Sequence, residues 1–305
     1  MNKPDPWVPV REPPLRVEGL VKGYGGRRVI DGLDLRVEAG RIVLLAGVNG
    51  AGKSTALRAS LGLARPERGS CAFWGRPLRT LEPAVRWVGV AFATPRHHPS
   101  RTVLAEARLA ATAGGLSRAA AARAVAQVGL SDAADVRAGA LSRGMRQRLG
   151  LAVALVGDPP LLLLDEPLSG IDTAGVDWLI ELLDAHRRRG GAALVCSHVT
   201  DPLADIVDDV AVLHRGRVTV KESLPRMVGE RRVVARSTAA EALAEALRPL
   251  AAAVEVDGEL VRVEGLTAQE IGACAAATAL ALSELREVRA DRARRVRSVV
   301  RQGTA

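Results

Sequence analysis

The run Gly47-Val48-Asn49-Gly50-Ala51-Gly52-Lys53-Ser54-Thr55 follows the apolar stretch 41–46 and leads into a helix-forming segment. A polyphosphate needs backbone N–H groups converging on its oxygens, and glycines at 47, 50 and 52 let the chain curl closely enough to aim them. The helix starting near Lys53 adds its positive dipole end, Lys53 reaches the β- and γ-phosphates, and the Ser54 hydroxyl is placed to ligate Mg²⁺. Asn49, Ala51 and Thr55 complete the cradle. A nucleoside triphosphate with Mg²⁺ is the expected ligand, and the following helix is predicted over Ser54 to Leu63. A plain glycine-rich turn is the bland alternative, and the strand-loop-helix context disfavours it.

A second apolar run, Leu161 to Leu164, ends in Asp165-Glu166-Pro167. Its lack of polar alternation predicts a strand buried on both faces of a parallel sheet, with the two carboxylates at the edge where such sheets bind ligands. Asp165 is suited to hold Mg²⁺ through water and Glu166 to polarise an attacking water; a solvated acidic turn is the competing reading. The two motifs together define a P-loop ATPase or GTPase.

The intervening segments narrow the family. Leu141-Ser-Arg-Gly-Met-Arg-Gln-Arg148 resembles the signature motif of ABC transporter ATP-binding subunits, usually LSGGQ-x-Q-R; Ser169-Gly-Ile-Asp172 resembles the D-loop, His198 the switch histidine, and Tyr24 the aromatic that stacks on adenine. The resemblance spans roughly 15 to 225, and the chain resembles bacterial drug-export type subunits. It implies an α/β fold: a mostly parallel sheet with an antiparallel β subdomain and a helical subdomain at about 100–157. It also implies ATP as ligand and Glu166 and His198 as catalytic residues. Tyr24, Ser142, Gly144 and Asp172 would serve as nucleotide contacts, with Ser142 and Gly144 facing the γ-phosphate held by a second copy. A separate transmembrane permease and a cytoplasmic position, peripheral on the inner membrane face, follow from the same resemblance. Each residue keeps a structural alternative. Ser142 is a good N-cap for the amphipathic run after it. Tyr24 suits simple side-chain contact, and His198 suits a strand end. Gly144 in a first helical turn costs up to about 1 kcal/mol relative to alanine unless something approaches its backbone closely.

Two departures matter. Where the family places a glutamine that touches Mg²⁺ and the attacking water, after the predicted strand Val85 to Phe92, this chain has Ala93. Thr94, His97 or His98 are the candidate substitutes; otherwise hydrolysis is slow without a partner, and a regulatory or non-transport ABC protein is the alternative function. Arg143 and Met145 replace Gly and Gln of the signature.

About 80 residues follow the core. The predicted order is strand 232–236, helix 239–247, a hairpin at 254–263 with an Asp-Gly turn, helix 268–280 and strand 284–290, a β-α-β-β-α-β sequence that fits a ferredoxin-like module over 226–305. Such appendages occur in ATP-binding subunits of bacterial export systems, which favours export. The first fourteen residues hold five prolines and no apolar h-region, so 1–14 is expected to be a flexible extension and not a signal peptide. No run approaches 18 apolar residues. Three scattered cysteines suit a reducing compartment and give no disulfide framework or zinc site. A net charge of +9 invites nucleic acid, yet aromatics make up only 2% and the positive charge is nearly all arginine spread along the chain, so no nucleic-acid partner is expected. The Arg286–Arg301 cluster reads first as a solvated helix face and second as a surface for anionic lipid or a partner loop.

Overall fold

Apolar runs that find neighbours on both sides set the frame. The computed structural model describes residues 12–224, 231–289 and 292–304. In chain order the elements are β1 (Leu15–Tyr24), β2 (Arg27–Val37), β3 (Ile42–Ala46), α1 (Lys53–Ser60), β4 (Arg68–Ala72), β5 (Val88–Ala91), α2 (Val103–Ala113), α3 (Arg118–Gln127), α4 (Arg143–Leu155), β6 (Leu161–Asp165), α5 (Thr173–Arg188), β7 (Ala192–Ser197), β8 (Asp209–His214) and β9 (Arg217–Ser223). After these come β10 (Arg231–Arg236), α6 (Ala240–Leu247), β11 (Ala253–Asp257), β12 (Leu260–Glu264), α7 (Ala268–Ala277), β13 (Glu284–Arg289) and α8 (Arg292–Thr304).

The central sheet has the order β5-β6-β7-β3-β8-β9, parallel except for the antiparallel edge strand β9. Every residue of β3, β6 and β7 is buried, as continuous apolar sequence requires. A three-stranded antiparallel sheet, β2-β1-β4, lies beside it. Leu15, Val17, Leu33 and Leu35 from that sheet share one core with Leu45, Leu161, Leu163 and Leu194 from the other, and Ala56 and Leu57 of α1 join them. Burying each such leucine contributes about 1.5–3 kcal/mol. Helices α2, α3 and α4 pack on one another as the helical insertion. No helix among the described residues is long and apolar enough to cross a membrane.

Several expected boundaries move. The run 85–92 yields only the four strand residues that β6 can pair, Val88 to Ala91, while Ala84–Arg86 forms a 3₁₀ turn after Pro83. Trp87 is apolar for a different reason: its ring meets that of Trp74 edge-on, with centroids 5.3 Å apart. The helix after the phosphate loop stops at Ser60 because Gly62 turns left-handed, at φ 74°. The hairpin turn is Gly258-Glu259, one residue beyond the Asp-Gly pair, since Asp257 still pairs with Leu260. Helix α7 ends at Ala277, and Ala279 takes φ 53° where the sequence pattern continued to 280.

The chain divides into two compact units: Met1–Leu224 with Val296–Ala305, and Pro225–Arg295. In the second unit the sheet order is β11-β12-β10-β13, all antiparallel, which is the ferredoxin-like arrangement of a β-α-β-β-α-β chain. Leu243 and Leu247 of α6 and Ile271 of α7 close its core over Val233, Ala235, Val261 and Val263. The last helix returns to the first unit. Gly303 sits so close to β8 that an added Cβ would lie 2.5 Å from Val212 Cβ, and its carbonyl accepts a 2.5 Å hydrogen bond from the Thr219 hydroxyl on β9. The 226–305 stretch grouped together by sequence is thus shared between the two units.

A histidine on α5 gives the first unit an acid limit. His186 is buried and its Nε2 lies 3.2 Å from the Ala192 carbonyl; burial is the main cause that lowers its pKa to about 4. Because the folded value lies below the ordinary 6.5, stability is complete above pH 6.5 and is lost as pH falls towards 4, by roughly 3 kcal/mol in all. Urea unfolding at pH 7.5 and pH 4.5 should show that decline in the parent chain and a flatter profile in His186→Gln, which cannot take up a proton.

Candidate functional site

Three neighbouring strands, β6, β7 and β3, end side by side, and their C-terminal residues carry the chemistry. The loop 47–52 leaves β3 under tight constraint: a Cβ on Gly47 would lie 2.5 Å from the Leu213 carbonyl, and one on Gly52, whose φ is +109°, would lie 2.7 Å from Ile30 Cδ1. Asn49 and Gly50 are exposed, Ala51 is buried, and Ser54 and Thr55 are half-buried in the first turn of α1. That turn carries no side-chain cap and no acidic residue of its own, which leaves its first N–H groups and the positive end of the helix dipole open to an anionic ligand.

Lys53 is buried, 5% exposed, and its ammonium donates to the Gly47 carbonyl at 2.7 Å and pairs with Glu166 Oε1 at 3.1 Å. A buried ammonium group is costly unless it has partners of this kind. Glu166 follows β6 in a left-handed conformation, φ 47°, held by its N–H donating to the Cys196 carbonyl of β7 at 2.8 Å. A non-glycine residue there costs on the order of 1–3 kcal/mol and turns its carboxylate towards the loop. Its Oε2 meets His198 Nδ1 at 2.8 Å. Lys53, Glu166 and His198 therefore form one hydrogen-bonded and ion-paired row.

Asp165 is fully buried, and neither of its carboxylate oxygens has a hydrogen-bond partner of ordinary geometry. Burial holds its pKa above the usual carboxylate range; the facing Ser54 hydroxyl pulls it down without reaching that geometry, and the Glu166 charge adds to the rise. An orphaned buried carboxylate opposite a hydroxyl fits a divalent cation. The described residues contain no cluster of three His, Cys, Asp or Glu for a metal, and Mg²⁺ at a phosphate site needs only one or two protein ligands, here Asp165 and Ser54.

Segment 93–98 joins this centre to the helical insertion. The Ala93 N–H approaches Asp165. A Cβ on Gly150 of α4 would lie 2.9 Å from Pro95 Cγ, His97 lies against the Arg146 backbone, and the His98 N–H donates to Glu106 Oε1 of α2 at 2.8 Å. The His98 main chain is thus held by α2 while its ring Nδ1 accepts from the Ser100 N–H at 3.3 Å, His97 Nε2 is buried without a hydrogen-bond partner, and Thr94 is exposed beside Ala93.

The remaining predicted residues sit on two other elements. Tyr24 ends β1 opposite Arg27 of β2; it is 52% exposed, with Lys22 Nζ 4.7 Å from its ring centroid. Ser142 caps α4, its hydroxyl accepting from the Met145 N–H at 3.2 Å. Gly144 has an explanation within its own chain: a Cβ there would lie 2.8 Å from the Gly170 carbonyl. No ligand is needed to account for that glycine. Asp172 caps α5 through the Gly175 N–H at 3.1 Å and accepts from Arg148 at 2.9 Å, and the Arg148 hydrogen bond holds its pKa below the usual carboxylate value. Sequence reasoning missed one contact here, Arg143 to Ser169, although it marked Arg143 as a departure.

Residues 30–169 match the family described as ABC transporter. The Nod factor export ATP-binding protein I of Cupriavidus metallidurans is 33% identical over 254 residues, which cover 80% of this chain and 84% of that protein. This chain belongs to the ATP-binding subunits of ABC transporters. The aliphatic sulfonates import ATP-binding protein SsuB of Cupriavidus pinatubonensis is 37% identical over 70% of both chains, and the lantibiotic transport ATP-binding protein SrtF of Streptococcus pyogenes is 28% identical over 68% of this chain and 90% of its own. A solved ATP-binding subunit of an ABC transporter superposes with TM-score 0.63 at 31% identity, covering 69% of this chain and 90% of that one. Residues 231–291 match a domain of unknown function, DUF8746. The subunit is an ATPase.

The buried carboxylate gives a direct test. Asp165 has a folded pKa above its unfolded value, so its ionised form weakens the metal-free fold at neutral pH, and that penalty disappears as pH falls through the raised pKa. Asp165→Asn should melt no lower than the parent without ligand but lose the stabilisation that Mg²⁺-ATP adds, as scanning fluorimetry would show.

Proposed function

We propose that this ATPase subunit powers export through a separate membrane permease, with two copies closing head to tail around two ATP molecules. The observation that carries the reading is the division of parts within one chain. Lys53, Asp165, Glu166 and His198 converge at the phosphate loop, whereas Ser142 caps α4 and Gly144, in its first turn, is seated on Gly170. A second copy would bring its own tip to this loop. The site-residue roles and the assignment of an ATP-binding domain over 15–225 are part of the same proposal.

In this reading the uncapped first turn of α1 and the loop amides bind the phosphates, and Tyr24 offers an exposed face to adenine. Lys53 turns from Glu166 to the β- and γ-phosphate oxygens. Glu166, released but still held by His198, orients the attacking water and accepts its proton as the terminal phosphoryl passes from the ADP oxygen to water. Asp165 and Ser54 would hold Mg²⁺, which would supply charge neutralisation. Loss of the γ-phosphate removes what Ser142 and Gly144 of the other copy grip, and the pair opens.

Export is supported by the ferredoxin-like unit and by the length of the Nod factor export match, 254 residues against 217 for the SsuB importer. The subunit would then lie on the cytoplasmic face of the membrane, docked on its permease, with no nucleic-acid partner. Ala93 favours a second reading, an ATP-dependent regulator with little turnover, since a methyl group neither ligates a metal nor orients water.

Glu166→Gln should produce an ATP-dependent dimer in gel filtration that Lys53→Ala abolishes; a chain that remains monomeric with Mg²⁺-ATP would contradict the two-copy scheme. Ala93→Gln should raise the turnover of the isolated subunit about tenfold or more, within the range of a positioned polar group. Fast parental turnover that the substitution leaves unchanged would remove the case for a slow isolated subunit.

A further inference from the structure

The first two turns of α4 hold segment 169–172 at three points. Arg143 donates from its guanidinium to the Ser169 hydroxyl at 2.8 Å. Its stem covers Gly170, where an added Cβ would lie 3.0 Å from Nε, 3.1 Å from Cδ and 3.2 Å from Cγ. Gly144 rests on the Gly170 carbonyl, and Arg148 donates to Asp172 at 2.9 Å. The segment is in turn tied to the catalytic glutamate, for the Ser169 N–H donates to the Glu166 carbonyl at 3.0 Å. Direct contacts therefore run from Glu166 through Ser169 to Arg143, the residue next to Ser142. Where the resembled signature has a glycine, no side chain could make the Ser169 link.

We infer that Arg143 is a positioning residue that ties the Glu166 peptide to the signature turn and so couples the two ATP sites of a dimer. The inference rests on the two-copy reading. In that assembly Glu166 serves one nucleotide while Ser142 and Gly144 of the same chain serve the other, so a rigid link between them makes occupancy at one site felt at the second. The guanidinium acts through Ser169. It keeps segment 169–172 in place before nucleotide arrives, which lowers the ordering cost of closing the dimer.

The test compares Arg143→Gly, Arg143→Lys, Ser169→Ala and the Arg143→Gly/Ser169→Ala double variant, each in the full chain. Amide hydrogen exchange at 169–172 in the nucleotide-free protein should speed up about three- to tenfold in Arg143→Gly and in Ser169→Ala, with no further gain in the double variant. In a Glu166→Gln background, the ATP concentration giving half-maximal dimer should rise by a similar factor, and the Hill coefficient of that curve should fall towards 1. Arg143→Lys should recover part of both effects. Unchanged exchange in Arg143→Gly would overturn the inference. So would a Ser169→Ala chain that dimerises like its parent while Arg143→Gly does not, because Arg143 would then act on the nucleotide itself. A Glu166→Gln chain that stays monomeric with ATP sinks the two-copy reading and the coupling with it, while the exchange data still report on the tether, so the two failures are told apart.

Discussion

A buried ammonium beside one buried and one partly buried carboxylate is the arrangement on which the site depends. Three apolar strands, β3, β6 and β7, lie next to one another and deliver Lys53, Asp165, Glu166 and, one residue past the strand end, His198 to a single edge of the sheet. Charges removed from water are tolerated only when neighbours compensate them. Glu166 satisfies Lys53 and His198, which leaves the Asp165 oxygens without partners. The ligand-free fold holds a buried carboxyl without hydrogen-bond partners that a cation would settle and a lysine that a phosphate would draw away. Binding energy is available at that edge because the fold has not already used it.

Most of this edge was legible in the sequence because its parts are contiguous. The loop 47–55 and the pair 165–166 each report their local geometry, since a glycine pattern and an unbroken apolar run carry a strand, a turn and a helix start within a few residues. The ferredoxin-like order of the second unit was readable for the same reason, from alternation and turn residues. Less legible were features that depend on residues far apart in the chain. The purpose of Gly144 was read as close approach by a nucleotide, whereas Gly170, 26 positions later, already requires it. Trp87 extended an apolar run beyond the strand because Trp74 needed a neighbour, not because β6 offered more pairing. The Arg146 backbone that His97 lies against and the Glu106 carboxylate that accepts from the His98 N–H are on helices whose direction no local pattern fixes.

The departures from the resembled motifs fall on segments that lead into the helical insertion or belong to it: Ala93 heads the segment that runs to α4 and α2, and Arg143 and Met145 lie in the first turn of α4. The residues that touch phosphate in the proposed scheme keep the pattern, and those in the segments leading to α4 and α2 depart from it.

The closing of α8 back onto β8 and β9 changes what a boundary means in this chain. Gly303 and Thr219 meet although 84 positions separate them, so the ferredoxin-like unit is spliced into the ATPase fold between an edge strand and its covering helix. Cutting the polypeptide after Leu224 would strip that cover from the sheet and leave Val212 bare, whereas excising 225–295 and joining the flanks would keep it. Sequence order makes the unit look like an addition at the end; in three dimensions it is a graft with two seams.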